Sequence, residues 1–162
     1  MIKIRLIGGE ELKESLALLL PEIGAVLCDT GACLHVTVKH AEEDVLYVEK
    51  KGNEATLTYG GGKARAHRGF AKLVAAAKAG EDLTCEEHPF CKNNGAMVDV
   101  SRANVLSLDG VKFMMRKMAL MGQNQLMLYT EDIIEVKARP YFGYMRGRYT
   151  VEEIKELYLK LM

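Results

Sequence analysis

The sequence lacks several features that would place it in a specialised class. Its 162 residues include only four cysteines, too few for a disulfide scaffold and typical of a reducing compartment. It carries no net charge, because 22 basic residues balance 22 acidic ones, and so no overall field favours nucleic acid or an anionic membrane. No apolar run is longer than residues 16–20, whereas a membrane-spanning helix needs about 18 apolar residues or more. We therefore predict a protein without nucleic-acid or membrane partners, which recognises its ligand through a local site.

The amino terminus also lacks the marks of a targeting segment. Met-Ile-Lys-Ile-Arg alternates apolar and charged residues as a strand does, and it has neither the apolar core nor the small-residue cleavage site of a signal peptide. A cytoplasmic location is therefore the prediction.

Two of the cysteines raise the question of a metal site. Cys85, His88 and Cys91 form the pattern C-x-x-H-x-x-C, in which soft ligands stand near metal-binding spacing. A closed structural zinc site needs four ligands, and no fourth is evident nearby. The pattern favours buried or incidental thiols, and no metal and no cofactor are predicted.

The first 85 residues have the pattern of a small α+β domain with a mixed or antiparallel sheet. A strand is predicted at 2–7 and a helix at 10–20, before a proline. A meander of further strands follows at 25–28, 33–39, 45–50, 55–59 and 63–67. The triple glycine at 60–62 is interpreted as a hairpin turn, and a helix is predicted at 68–79, before Gly80.

After a polar linker at 81–94 the pattern changes to strand, helix, strand, helix, which is typical of parallel βα units. The predicted elements are strands at 95–100 and 125–130 and helices at 109–121 and 150–162. Gly122 is expected to close the first of these helices, and Thr150 with Glu153 to open the second as a capping box. The first helix carries a methionine-rich stripe at 111, 114, 115, 118 and 121, which is interpreted as core packing. Residues 86–162 are therefore predicted to be a second domain.

Several motifs of this second part resemble one family of enzymes. They are Glu-Glu-His-Pro-Phe at 86–90, the segment 95–102 ending in Asp-Val-Ser-Arg, the segment 117–124, Leu-Met-Leu-Tyr-Thr-Glu-Asp at 126–132, and Arg-Pro-Tyr-Phe-Gly-Tyr-Met-Arg-Gly-Arg-Tyr-Thr at 139–150. Together they resemble the start of the catalytic barrel in family 20 glycoside hydrolases, the β-N-acetylhexosaminidases, in the bacterial branch of the streptococcal enzyme. Residues 1–80 match more loosely the small domain that precedes this barrel.

The resemblance implies a fold and a site. Residues 86–162 would be the first βαβα portion of a (β/α)8 barrel, whose active site lies at the carboxyl ends of the strands. Arg102 stands where the family's arginine binds the outer hydroxyls of a terminal N-acetylhexosamine, and its fork of donors suits vicinal hydroxyls. Glu131 and Asp132 stand where many members have two aspartates that shape the sugar site. The alternatives are a surface arginine and a solvated pair of carboxylates.

The same resemblance implies that the catalytic residues are missing from this chain. These enzymes hydrolyse terminal β-linked N-acetylhexosamine by substrate-assisted retaining catalysis, with an adjacent Asp-Glu pair at the end of the fourth strand. The sequence contains no Asp-Glu dipeptide, since its three adjacent acidic pairs of this kind read Glu-Asp. We therefore expect an amino-terminal fragment that is inactive by itself, whose parent acts on glycans that end in N-acetylhexosamine. Its uncovered barrel strands are expected to cause self-association.

A function of another kind is the main alternative. Tyrosine, phenylalanine and arginine alternate in the loop 139–149, and such a surface can stack on sugars or nucleobases. A non-enzymatic carbohydrate- or nucleic-acid-binding module would use this loop.

Overall fold

The fold is taken from a computed structural model, which describes residues 1–102 and 105–159 and gives the backbone alone at 158 and 159. The chain divides into two compact units. The first comprises Met1–Asn94 with Arg116–Asn124, and the second comprises Gly95–Met115 with the residues from Gln125 onward. Each unit has a hydrophobic core of its own.

A six-stranded sheet with two helices forms the first unit. The elements are β1 (Ile2–Ile7), α1 (Lys13–Leu19), β2 (Ala25–Leu27), β3 (Leu34–His40), β4 (Leu46–Lys51), β5 (Glu54–Tyr59), α2 (Lys63–Ala79) and β6 (Leu83–Glu87). The strand order is β2-β1-β3-β5-β4-β6. Strands β2, β1, β3 and β5 are parallel neighbours, whereas β4 is antiparallel to β5 and β6. The prediction of a mixed sheet with helices is confirmed.

The core of the first unit lies on one face of this sheet. Every second side chain of β3, β4 and β5 is buried, as at Val36, Val48 and Leu57, because successive side chains of a strand point to opposite faces. Helix α2 adds Phe70 and Leu73 to the same core. Each such side chain contributes about 1.5–3 kcal/mol when it is fully buried.

Three predictions for this unit are wrong. The strands do not form a meander, since three of the five sheet pairings are parallel. Residues 63–67, predicted to be a strand, form the first turns of α2, where Ala66 lies one turn before Phe70 on the buried stripe. The triple glycine therefore joins a strand to a helix and is not a hairpin turn. Gly60 is required there, because a Cβ atom would lie 1.9 Å from the carbonyl oxygen of Glu43.

The predicted linker at 81–94 also contains a strand, β6, which includes residues on both sides of position 85. Its last residue, Glu87, accepts hydrogen bonds from Arg68 Nε at 2.5 Å and from Arg68 Nη2 at 2.9 Å. Lys72 Nζ lies 2.9 Å from the same carboxylate. The hydrogen bonds from Arg68, together with those from Lys72, lower the pKa of Glu87 to about 2. These contacts tie β6 to α2. The division of domains at 85 stays a prediction.

A buried histidine links the two helices of the first unit. His67 of α2 is 7% exposed, and its Nε2 lies 2.9 Å from Ser15 Oγ of α1. Ser15 donates its own hydrogen to the carbonyl oxygen of Leu12, and so His67 must donate to Ser15 from Nε2. Burial, reinforced by the charge of Lys63, lowers the pKa of His67 to about 4. The histidine is thus neutral near pH 7.

We expect acid to destabilise the first unit through His67. An unfolded chain protonates this residue as the pH falls through about 6.5, whereas the folded chain does so only near pH 4. The unfolded state therefore binds more protons across this window, and stability is lost as the pH falls, by about 3 kcal/mol between pH 7 and pH 4. Urea unfolding at both pH values measures the loss. The control is His67→Gln, which can still donate to Ser15 but does not titrate. An equal loss in both proteins would contradict the assignment.

The second unit contains most of a βαβα segment, of which only the end of the first helix, from Arg116 onward, is counted with the first unit. Strand β7 (Gly95–Asp99) and strand β8 (Gln125–Tyr129) pair in parallel, helix α3 (Leu108–Leu120) connects them, and helix α4 (Val151–Leu159) follows. Its core is formed by the buried Val100, Val111, Ile133, Tyr149 and Leu157. The predicted strand, helix, strand, helix order is confirmed. A complete barrel would need six more βα units.

The predicted helix boundaries of this segment are largely correct. Gly122, at φ 80°, follows the end of α3. The capping box of α4 is present, since Thr150 Oγ1 accepts the Glu153 N–H at 3.1 Å and Glu153 Oε2 accepts the Thr150 N–H at 2.8 Å. Of this predicted helix, 160–162 lie outside the described residues. None of the described helices is long and apolar enough to span a membrane.

The methionine-rich stripe of α3 is only partly core. Val111 and Met118 are buried, and Met114 and Met115 are half-buried. Met121, the last residue of the stripe, is exposed, and so the packing interpretation is wrong there. The helix ends one residue earlier, and a residue beyond the last turn need not stay on the apolar face.

Candidate functional site

The predicted site residues follow the carboxyl ends of the parallel pair β7 and β8. Arg102 comes three residues after Asp99, the last residue of β7, and Glu131 comes two residues after Tyr129, the last residue of β8. Asp99 and Tyr129 are partners in the strand register. The two loops therefore leave the sheet side by side, which is the physical reason why residues distant in sequence meet at this edge.

Arg102 lies at the centre of this edge. Its Nη2 is 3.8 Å from Glu131 Oε1, its Nε is 3.5 Å from Asp99 Oδ2, and its guanidinium carbon stands 5.9 Å from the centre of the Tyr129 ring. Both ion-pair distances exceed those of a direct hydrogen bond. Since the side chain is 70% exposed, these pairs are weak and its N–H donors are accessible to a ligand.

Asp99 and Ser101 also belong to this edge, although neither was a predicted site residue. Asp99 Oδ1 accepts the Ser101 hydroxyl at 2.6 Å and the Ser101 N–H at 2.9 Å. Both hydrogen bonds lower the pKa of Asp99, and the one from the Ser101 hydroxyl has the larger effect. Ser101 is buried, and so it fixes an ionised carboxylate beside Arg102. An aspartate two residues before a serine at a strand end is the signal that could have predicted this turn.

The Asp132 side chain lies against the loop at 139–149. Its Oδ1 lies 3.3 Å from Arg146 Nη1, but the buried atom has no partner with hydrogen-bond geometry among the described residues. The attraction between them is therefore that of an ion pair. Of the three predicted residues, the fold places Arg102 and Glu131 together and directs Asp132 to a neighbouring loop. Their role in binding a substrate stays a prediction.

The loop 139–149 is held by hydrogen bonds within the loop and by its contact with Asp132. Arg148 Nη1 donates to the carbonyl oxygen of Phe142 at 2.7 Å and lies 3.4 Å from that of Pro140. Gly143, at φ 69°, sits so close to Asp132 that a Cβ atom would be 2.0 Å from the Asp132 carbonyl oxygen. The loop is therefore packed against the end of β8 and exposes several large side chains, Tyr141, Phe142, Tyr144 and Met145.

This arrangement has the chemistry to bind hydroxyl groups. A guanidinium flanked by two carboxylates offers both donors and acceptors to vicinal hydroxyl groups. The three carboxylates belong to no Asp-Glu dipeptide, and so the pair expected for acetamide orientation and proton donation has no counterpart here.

The possible metal ligands of the first unit do not form a site. Cys85 is a free thiol on β6, and Cys91 is a free, exposed thiol. His88 Nε2 is hydrogen-bonded to Glu86 at 2.7 Å. Among the described residues, no group of three or more histidine, cysteine and acidic side chains is arranged to hold a metal ion.

Comparison with solved structures identifies the fold. The chain is similar over 99% of its length to a β-N-acetylhexosaminidase of Bacteroides fragilis (16% identity, TM-score 0.68) and to a β-hexosaminidase of Streptomyces plicatus solved with the product GlcNAc (21%, 0.72). Over 99% of its length it is also similar to a family 20 chitobiase of Flavobacterium johnsoniae (19% identity, TM-score 0.69). It spans 37%, 39% and 29% of those chains, respectively. No protein-family model and no curated protein matches the sequence.

The fold of this chain is therefore that of the amino-terminal region of family 20 β-N-acetylhexosaminidases. The expected resemblance is confirmed for the fold. The chain spans less than two fifths of the length of these enzymes.

Proposed function

We propose that this chain is the amino-terminal part of a family 20 β-N-acetylhexosaminidase and supplies one side of its sugar site. The observation that carries the proposal is the approach of Arg102 and Glu131 to 3.8 Å at the carboxyl ends of two neighbouring parallel strands. In (β/α)8 enzymes this end of the strands holds the active site. The structural likeness over 99% of the chain supports the same assignment.

In this proposal β7, α3, β8 and α4 are the first quarter of the barrel. Arg102 and Glu131 hydrogen-bond hydroxyl groups of a terminal N-acetylhexosamine, and Asp132 contributes through the neighbouring loop. The substrate's acetamido oxygen attacks the anomeric carbon while the bond to the leaving oxygen breaks and an enzyme carboxylic acid protonates that oxygen. These 162 residues bind and orient the terminal sugar. The carboxylic acid that protonates the leaving oxygen must come from other residues.

The gene itself offers a direct test of the proposal. We expect the reading frame to continue past codon 162 and to encode an adjacent Asp-Glu pair at the end of a fourth barrel strand. Sequencing the transcript downstream of Met162 checks this. A stop codon directly after it, with no separate chain that supplies such a pair, would contradict the assignment to an active enzyme.

Nucleic-acid binding through the loop 139–149 is less well supported. Such binding depends largely on basic side chains that contact phosphate. Arg146 is paired with Asp132, and Arg148 donates to carbonyl oxygens of its own loop. Two of the three arginines of the loop therefore maintain its structure, and the chain carries no net charge.

The exposed face of β7 and β8 gives a separate expectation for the isolated chain. Met97, Met127 and Tyr129 lie on this face and are 67%, 50% and 41% exposed, whereas the opposite face packs on the core through Val98 and Leu128. Among the described residues, these two strands pair only with each other. Exposed apolar groups beside open strand edges favour association.

We therefore expect the purified chain to self-associate, and Met97→Glu with Met127→Glu to shift it towards monomer, because each introduces a charge on the apolar face. Gel filtration with light scattering measures the mass of each protein. Leu18→Glu, which changes a similarly exposed apolar residue on α1, is the matched control. A wild-type chain that stays monomeric at high concentration would refute this expectation.

A further inference from the structure

The loop 139–149 displays an aromatic pair that the proposed sugar contacts do not use. Tyr141 is 82% exposed and Tyr144 is 64% exposed. Their ring centres are 6.1 Å apart with an interplanar angle of 77°. Phe142 and Met145 beside them are also exposed. A cluster of exposed apolar side chains on a protein surface commonly marks a binding site.

This patch belongs to an organised loop. Arg148 holds the carbonyl oxygen of Phe142 at 2.7 Å, and successive backbone hydrogen bonds join Arg139 to Phe142 and Tyr141 to Tyr144. Met145 adopts φ 62°, a conformation that side-chain-bearing residues rarely adopt and that persists where surrounding contacts impose it. The loop therefore presents its tyrosines in a defined arrangement.

The same loop is joined directly to the candidate sugar site. Gly143 lies between the two tyrosines in sequence and packs against the backbone of Asp132. Arg146, two residues after Tyr144, pairs with the Asp132 carboxylate at 3.3 Å. Asp132 follows Glu131, which faces Arg102. The aromatic pair is thus continuous with the site through Asp132.

We propose that Tyr141 and Tyr144 form an aromatic platform for the sugar residue to which the terminal N-acetylhexosamine is linked, with one ring stacking on that sugar and the other, at 77° to the first, bordering it. This proposal rests on the proposed function, because it takes Arg102 and Glu131 as the contacts of the terminal sugar. The substrate class it implies is an oligosaccharide with a pyranose ring in the second position.

The chemistry of the patch favours a sugar. An aromatic ring has a negative face, on which the C–H groups of a pyranose can pack while its hydroxyls stay in water. Nucleic acid would need basic side chains to contact its phosphates, but Arg146 and Arg148 are engaged within the unit. A second copy of the chain would bury the tyrosines in a dimer, which light scattering can detect.

The test is saturation-transfer NMR of N,N′-diacetylchitobiose with the intact 162-residue chain, a method that detects weak complexes. We expect signals from both rings of the disaccharide with the wild-type chain. Tyr141→Ala with Tyr144→Ala should reduce the signals of the reducing-end ring at least threefold and leave the other ring's acetyl signal unchanged. Arg102→Ala should reduce the acetyl signal of the terminal ring and leave the signals of the reducing-end ring unchanged. Phe90→Ala, which removes a fully exposed aromatic ring of the first unit, is the matched control and should change neither.

The other outcomes overturn either the platform or the sugar site on which it rests. Unchanged reducing-end signals in the double tyrosine variant would remove it while leaving the Arg102 site intact, and an equal loss in Phe90→Ala would mean non-specific contact. An absence of signal with the wild-type chain would also refute it.

A labelled oligonucleotide that binds only when the tyrosines are present would assign the patch to nucleic acid. A dimer that dissociates in the double variant would assign the patch to a second copy. An acetyl signal that survives Arg102→Ala, with the tyrosine effect unchanged, would instead contradict the proposed sugar site.

Discussion

The 162-residue chain alone is expected to leave a chromogenic β-N-acetylglucosaminide unhydrolysed, with product release no faster than in buffer. The candidate site offers a guanidinium and carboxylates that suit hydroxyl groups, but the sequence has no Asp-Glu dipeptide to orient the acetamide and protonate the leaving oxygen. A positioned general acid alone typically contributes a factor of about 10² to 10⁴ to the rate. Release of the chromophore, followed over hours at high protein concentration, provides the measurement.

The assay needs two controls. An active family 20 enzyme, added in trace amounts to the same mixture, shows that turnover would be seen. Any activity of the chain must be tested for co-purifying enzyme by repurification and by Arg102→Ala. Turnover that survives repurification and disappears in Arg102→Ala would contradict the expectation, because a contaminating enzyme would not respond to that substitution.

Local sequence patterns predict contacts between residues that are close in the chain, but they do not predict which strands become neighbours. The capping box at Thr150 and Glu153 was predictable, because both partners lie within one helical turn. The pairing of β3 with β5 was not, since alternation shows that a strand has two faces but does not identify its neighbours. Residues 63–67 were ambiguous for another reason. Lys-Ala-Arg-Ala-His alternates like a strand, and only its continuation to Phe70 shows the helical stripe.

The candidate site was predictable to a similar degree. Once β7 and β8 are parallel neighbours, Arg102 and Glu131 must follow their carboxyl ends side by side. Which of two adjacent carboxylates faces the arginine depends on the path of the chain after the strand. Here Gly143 packs against Asp132 and brings Arg146 to its carboxylate, a contact that neither spacing nor composition indicates. The resemblance gave the position of the pair, and the loop determines the direction of each side chain.

Arg102→Ala is expected to lower catalytic efficiency strongly in an enzyme that joins this chain to the rest of a barrel and its Asp-Glu pair. In that setting the edge that is now open to water would enclose the sugar, and loss of the guanidinium would leave buried hydroxyl groups and carboxylates unpaired. Such a loss typically costs about 2 to 5 kcal/mol, or about 30-fold to 5,000-fold in kcat/KM. Arg102→Lys should restore little of it, because one ammonium group cannot reproduce the planar fork that spans Asp99 and Glu131.

Steady-state kinetics on a chromogenic substrate measures both variants, and Arg5→Ala, at an exposed position of β1, is the control for loss of an arginine elsewhere. A kcat/KM unchanged within about twofold in Arg102→Ala would exclude the residue from the site, because the hydrogen bonds proposed between its guanidinium and the substrate would then contribute nothing.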